Sequence, residues 1–290
     1  MLKTERMDRV RAALRAQGLT QMIVCDPKSV WYLTGVAVEP YERLLALYLP
    51  TEGEPVLFLN RLFNVPEPPC RTVWHTDTDR PVAQIAEVVD AGRPLGIDKE
   101  WPAKFLIPLM ETHPGMQVVL SSDCVDDCRA CKDAEEQALM REASRINDTV
   151  NEAAKHYIKA GMTEREVAEF IDAQFRAHGC EGPSFTTIVS FGANAADPHH
   201  EPDDTVLKEG DCVLFDMGCV KSRYCSDMTR TWFCGQPTEK QAAVHDLVRR
   251  ANEAAEALIK PGVRLCELDA AARDLITEAV SYTHLTLPTN

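Results

Sequence analysis

The stretch Asp211–Gly235, DCVLFDMGCVKSRYCSDMTRTWFCG, constrains the fold more than any other, because it sets two carboxylates, Asp216 and Asp227, inside what reads as a β-hairpin. Val213-Leu214-Phe215 and Thr231-Trp232-Phe233 are rich in β-branched and aromatic residues, and Val220-Lys221-Ser222-Arg223 between them is the most polar point, which predicts two antiparallel strands. A turn centred between Lys221 and Ser222 pairs 220 with 223, 218 with 225 and 216 with 227, so Asp216 is expected to face Asp227. Directly opposed Cβ atoms lie roughly 4.5–5.5 Å apart, and like charges there are destabilising. A cation between them removes the conflict. Gly218, on the same face, is expected to leave room beside the pair. An exposed strand face on which both acids are merely solvated is the competing reading of these residues alone.

A chain of 290 residues suggests one large or two ordinary domains. Its 31 Lys and Arg against 45 Asp and Glu give a net charge of −14, which argues against a nucleic-acid surface and for a small, non-anionic substrate or a peptide. No apolar run reaches the roughly 18 residues of a membrane span, and the N-terminus is a charged amphipathic segment without a signal-peptide core, so no membrane partner and a cytoplasmic location are expected. The eleven cysteines are odd in number and spread along a long chain, which points to reduced thiols. Cys212, Cys219, Cys225 and Cys234 read as small apolar residues of strands. Cys124-x3-Cys128-x2-Cys131 has an iron–sulfur spacing. A helix follows at once from Asp133 and no barrel-like βα pattern surrounds it, so a cysteine-rich linker is the better account.

Apolar periodicity and turn residues order the rest. A helix over 2–18 closed by Gly18, a buried strand at Met22–Cys25, a hairpin of 44–49 with 55–59, helices over 82–91 and 104–112, and strands at 94–97 and 118–120 make a mixed α/β domain over 1–125. Its histidines His75 and His113 read as polar packing residues. The segment 121–132 shows neither period and is expected to be a linker. A second domain over 126–280 begins with a long amphipathic helix, 134–159, and a helix opened by the capping box Thr163-x-x-Glu166 and ended by Gly179. A strand over 186–190, the hairpin, and helices over 238–260 and 267–280 complete it. His156, His178 and His245 fall on helices or their ends and read as structural. Arg230, alternating with Asp227 and Thr229, is expected on the opposite strand face in a packing or ion-pair role.

Three pieces combine in order and spacing: Gly192-Ala193-Asn194-Ala195-Ala196-Asp197-Pro198-His199-His200, Asp216-Met217-Gly218, and Ser226-Asp227-Met228-Thr229-Arg230-Thr231. Together they resemble the pita-bread metallohydrolases, specifically the Xaa-Pro dipeptidase and aminopeptidase P branch with a creatinase-like N-terminal domain. Lys260-Pro261-Gly262-Val263, Asp269–Arg273 and, in the first half, Trp31-Tyr32-Leu33-Thr34-Gly35 agree with it. The resemblance implies an α/β N-terminal domain followed by an α+β pita-bread domain, a peptide substrate, a homodimer and hydrolysis of Xaa-Pro bonds. It also implies two divalent ions, manganese first and cobalt, iron or zinc as alternatives, with Asp216 and Asp227 as ligands beside one histidine and two glutamates from further downstream. Carboxylates with one imidazole suit any of these metals. His199 matches the residue that contacts substrate and assists proton transfer, and His200 is its substrate-binding neighbour. Taken alone, a His pair in a polar loop reads more readily as two exposed histidines.

The histidine and glutamates implied downstream have no counterpart before residue 290. The uncharged last ten residues, 281–290, break off a helical pattern without a cap. They read as a non-native tail on a truncated chain, itself expected to be inactive, and His284 is not taken as a ligand. Two alternatives stand beside the Xaa-Pro hydrolase: a creatinase-like or ectoine-hydrolase-like amidohydrolase of a small non-peptide, and a non-catalytic binding protein on the same fold. The aspartate pair disfavours a metal-free enzyme.

Overall fold

A computed structural model describes residues 2–279 and divides the chain into two compact units, Met1–Asp133 and Ala134–Asn290. The expectations for 280–290, His284 among them, lie outside the described residues.

In the first unit, helix α1 (Thr4–Ala16) buries Met7, Val10 and Leu14 on one stripe. Gly18 at φ 73° turns the chain into strand β1 (Gln21–Val24), buried along its whole length. Helix α2 (Pro27–Thr34) has no apolar period long enough to predict, but its ends are well marked. Asp26 accepts the Ser29 amide at 2.9 Å, Pro27 opens the first turn, and Gly35 closes it in the left-handed region. Strands β2 (Ala46–Pro50) and β3 (Val56–Asn60) form the expected hairpin, with Leu47 opposite Leu57. The unforeseen strand β4 (Arg71–His75) then pairs parallel with β3. After helix α3 (Pro81–Ala86) come strand β5 (Leu95–Ile97), helix α4 (Ala103–Thr112) and strand β6 (Val118–Leu120). The sheet runs β4-β3-β2-β1-β5-β6. Separate apolar clusters form around β1–β3, one holding Val10, Leu14 and Leu33, the other Phe58, Ile85 and Leu109.

The linker expected over 121–132 is instead helix α5 (Asp123–Ala130). Cys124, Val125 and Cys128 form its buried stripe and pack in the cluster that holds Val10 and Leu14. Two cysteines in the roles of small aliphatic residues disguise the helical period. All eleven cysteines are free thiols, and burial pushes that of Cys124 up to about 11.

In the second unit, helix α6 (Ala134–Tyr157) lies beside helix α7 (Glu164–Ala177), whose capping box forms fully: Thr163 Oγ1 accepts the Glu166 amide and Glu166 accepts the Thr163 amide at 2.8 Å. Both helices share a core with Val189, Phe191, Val213, Phe215 and Met217. Those side chains come from strand β8 (Ile188–Phe191) and strand β9 (Cys212–Met217), after the short strand β7 (Gly182–Pro183). Strands β10 (Cys219–Lys221), β11 (Tyr224–Cys225) and β12 (Met228–Phe233) follow, then helices α8 (Glu239–Glu256) and α9 (Leu265–Glu278). Instead of one hairpin, the ribbon splits between two sheets, β12-β9-β8 and β11-β10-β7.

The hairpin register differs from expectation. Val220 pairs with Cys225, Met217 with Met228, and Asp216 with Thr229, not with Asp227. The turn is Ser222-Arg223, both at positive φ of 50° and 67°, between the pair Lys221 and Tyr224. This is a two-residue type I′ turn, whose twist suits a hairpin but which normally advertises itself as Asn-Gly or Asp-Gly. The shift is two residues, so side-chain parity is kept and only the partner changes. Nor does Gly218 leave open space. A Cβ there would overlap the Ser226 carbonyl and the Ser184 hydroxyl, and that hydroxyl donates to Ser226 O at 2.8 Å, not to either acid.

Candidate metal centre and histidine loop

Alternation along β9 buries Val213, Phe215 and Met217 and turns Cys212, Leu214 and Asp216 to the other face. On β12, Thr229, Thr231 and Phe233 share that face by register, and Asp227 shares their parity one step before the strand. The two acids are therefore diagonal neighbours, at roughly 7–8 Å between positions, and not directly opposed. Asp216 is half-buried and accepts one hydrogen bond, from the Thr229 hydroxyl at 3.0 Å. Asp227 is exposed, and no hydrogen bond or ion pair to its carboxylate is formed by the described residues. Two supports fix the end of β9: Asn147 of α6 donates to Met217 O at 3.0 Å, and the Ser184 amide donates to Gly218 O at 3.0 Å. Beside this face lies an open recess of about 1010 Å³ lined by Leu214, Thr231, Phe233, Val244 and Val248. Arg230 stands opposite Phe215 in the register, is exposed, and donates to the Thr229 carbonyl at 2.8 Å without an acid partner in the described bonds.

Strand β8 pairs with β9 from Ile188 opposite Asp216 and runs into the 3₁₀ turn Gly192–Ala196 and the histidine loop. His199 is exposed, its amide donates to Asp197 Oδ1 at 2.9 Å, and its ring has no partner among the described residues. His200 points elsewhere. Its Nε2 lies 2.6 Å from Glu164 Oε2, on the first turn of α7. Glu164 is fully buried, at 0% exposure, and no motif in the sequence marks it. Its Oε1 accepts the Phe191 amide at 2.7 Å and Asn194 Nδ2 at 3.0 Å, while Oε2 accepts the Asp203 amide at 3.2 Å and His200. A carboxylate near a helix N-terminus is favourable anywhere. What the sequence could not show is that the backbone pairing of Thr163 with Val206, and of the Glu164 amide with Thr205 O, folds residues 203–207 over it.

Glu164, His200 and Asp203 also place one oxygen or nitrogen each within 4.8 Å of one another, a spacing that a metal could use. As folded, the acceptors are committed: each Glu164 oxygen takes two N–H donors, and the hydroxyl and amide of Thr205 hold the Asp203 carboxyl below the usual range. Asp216 and Asp227 are the less committed oxygen donors.

A metallopeptidase family M24 model matches residues 138–287, and a creatinase/prolidase N-terminal domain model matches residues 6–131. The chain belongs to family M24, as a creatinase-type N-terminal α/β domain followed by a pita-bread catalytic domain. An uncharacterized peptidase of Staphylococcus epidermidis is 31% identical over 274 residues, which is 93% of this chain and 78% of that protein. Among solved structures, a prolidase from Thermococcus sibiricus superimposes with a TM-score of 0.88 at 29% identity, covering 97% of this chain and 78% of that one. The dipeptidase PepE from Mycobacterium ulcerans gives 0.87 at 31% identity, over 96% of this chain and 76% of its own.

Proposed function

We propose that the protein is a metal-dependent hydrolase of Xaa-Pro peptide bonds, of dipeptidase or aminopeptidase P type, with Asp216 and Asp227 as metal ligands and His199 as the proton-handling residue. The observation that carries this reading is the under-committed pair of hard carboxylates on one strand face: Asp216 accepts a single hydroxyl and Asp227 accepts no described donor. The two acids are diagonal neighbours with oxygens that no described donor fills, so the donor set fits divalent metal. Two divalent ions would supply an activated water and a polarised carbonyl. The resemblance favours manganese, with cobalt, iron or zinc compatible with the same oxygen donors.

The chain's own residues set the terms of that chemistry. Thr229 holds one oxygen of Asp216 and leaves its second free, and the bonds from Asn147 and Ser184 keep the end of β9 from shifting. His199, with its amide tied to Asp197 and its ring exposed, is the group available to hold or deliver a proton near the leaving amine. A small peptide is the substrate in this reading, supported by the prolidase and dipeptidase names of the structural neighbours, and a homodimer is the assembly the resemblance favours. Elemental analysis and cleavage of an Xaa-Pro dipeptide test it together. In a chain extended to carry the downstream histidine and glutamates that the resemblance implies, Asp216→Asn and Asp227→Asn should each lose at least one metal and most activity. Full metal content with unchanged turnover in both variants sinks the assignment.

A further inference from the structure

We propose that His200 is a positioning residue for His199, acting by tethering the histidine loop to the buried Glu164 carboxylate. This rests on the reading above that His199 takes part in turnover. His200 and His199 are chain neighbours with opposite environments: the His200 side chain is 15% exposed and bonded to Glu164, while the His199 ring is exposed without a described partner. Glu164 is rooted at the start of α7, whose Val167, Ile171 and Phe175 are fully buried. It gathers three points of the loop region onto one carboxylate: Asn194 before the histidines, His200, and the amide of Asp203 beyond them.

The tautomer follows from the same bonds. Asn194 Nδ2 has two hydrogens, and Glu164 Oε1 at 3.0 Å and Thr205 Oγ1 at 3.2 Å take both. His200 Nε2, although 3.2 Å from Asn194 Nδ2, is therefore the donor to Glu164 at 2.6 Å. With Nε2–H so engaged, His200 cannot present that nitrogen to a substrate. Its contact fixes the residue next to His199 instead. Without it, Glu164 grips the loop region only through Asn194 and the amides of Phe191 and Asp203, and the backbone under His199, tied locally to Asp197, gains freedom. A misplacement of about 1 Å in a reacting group can cost about 10²-fold in rate.

A double-mutant cycle on the full-length, metal-loaded protein with an Xaa-Pro dipeptide separates positioning from plain structural support. His200→Ala should lower kcat about 10- to 100-fold, with KM and metal content little changed. His200→Gln, whose amide nitrogen can take the place of Nε2, should recover most of the loss. In a His199→Ala background, His200→Ala should change kcat less than about twofold, because the group it serves is gone. If His200→Ala folds poorly, His200→Asn removes the same reach with less lost volume and is held to the same outcomes. Losses from His199→Ala and His200→Ala that multiply in full, or a glutamine variant no better than alanine, overturn this inference and leave the role of His199 standing. Unchanged turnover in His199→Ala overturns both.

Discussion

The two central sheets treat their faces in opposite ways. In the N-terminal unit β1 and β3 are buried along their whole length, and β2 along all but its last residue. Asp98, just beyond β5, is filled by N–H donors: it accepts the amides of Cys25 at 3.4 Å, Asp26 at 3.2 Å and Glu100 at 3.0 Å. In the catalytic unit β9 alternates, one face in the core and the other carrying Asp216. Both units therefore contain saturated carboxylates that hold chain segments together, Asp98 in one and Glu164 in the other. Only the half-open sheet carries the carboxylates assigned to metal. A carboxylate whose lone pairs are filled by N–H donors stabilises the fold, and one left unfilled at a strand face is available to a metal.

The sharpest way to break that contrast is to remove one carboxylate of each kind. Glu164→Ala leaves two backbone amides, Asn194 and His200 without their acceptor in a buried site. It should cost about 3–5 kcal/mol, the range for stripping one partner from a buried charged network, read as a lower urea midpoint for the C-terminal unit. Asp227→Asn should change the stability derived from the same midpoint by no more than about 0.5 kcal/mol in the metal-free protein, as for other surface changes. Equal costs for the two substitutions would mean that saturation does not distinguish structural from functional acids here.

The two hairpins give the next contrast. Gly218 lies where a Cβ would meet the backbone carbonyl of Ser226, which no rotamer change can move. Gly218→Ala should cost about 3 kcal/mol or more, at the upper end for overpacking. Gly53, in the loop between β2 and β3, has φ +95° and nothing within 4 Å of an added Cβ. Gly53→Ala should cost only the backbone strain of a left-handed residue, about 1–2 kcal/mol. Thermal unfolding of both variants checks the order.

Much of this was legible because it rests on period and on caps. The long amphipathic α6 and the capping box Thr163-x-x-Glu166 at the start of α7 are local signals, and both helices form where those signals lie. Strand character over 212–233 was legible for the same reason. Its register was not, since Ser222-Arg223 adopts a turn conformation that neither residue advertises. Nor was the Glu164 knot, whose partners lie from 27 to 39 positions along the chain. Helix α5 was hidden by its cysteines. A direct check is Cys124→Ser: at 1% exposure it should cost about 1–3 kcal/mol for an added polar group. Cys131→Ser, at an exposed position, should be close to neutral. A neutral Cys124→Ser would show that the buried thiol of α5 does not act as an aliphatic packing group.

The smallest expected effect separates the units by pH. His75 at the end of β4 is buried at 2% exposure, and desolvation lowers its pKa from the ordinary histidine value, more than the carbonyl of Leu44 and nearby acids restore it. Its bonds suit a neutral ring: Nε2–H can donate to Leu44 O at 3.1 Å while Nδ1 accepts from Asn60 Nδ2 at 3.4 Å. Below about pH 6.5, the unperturbed value, the unfolded chain binds a proton that the folded chain refuses. The N-terminal unit should therefore be at full stability above that pH and lose stability as pH falls through the window between the unfolded and the lowered folded value. His75→Gln keeps a donor for Leu44 O and removes the titrating ring, so it should flatten the slope of stability against pH between about 5 and 7. Denaturation of wild type and His75→Gln across that range tests it, and parallel slopes would show that another group governs the acid sensitivity of this unit.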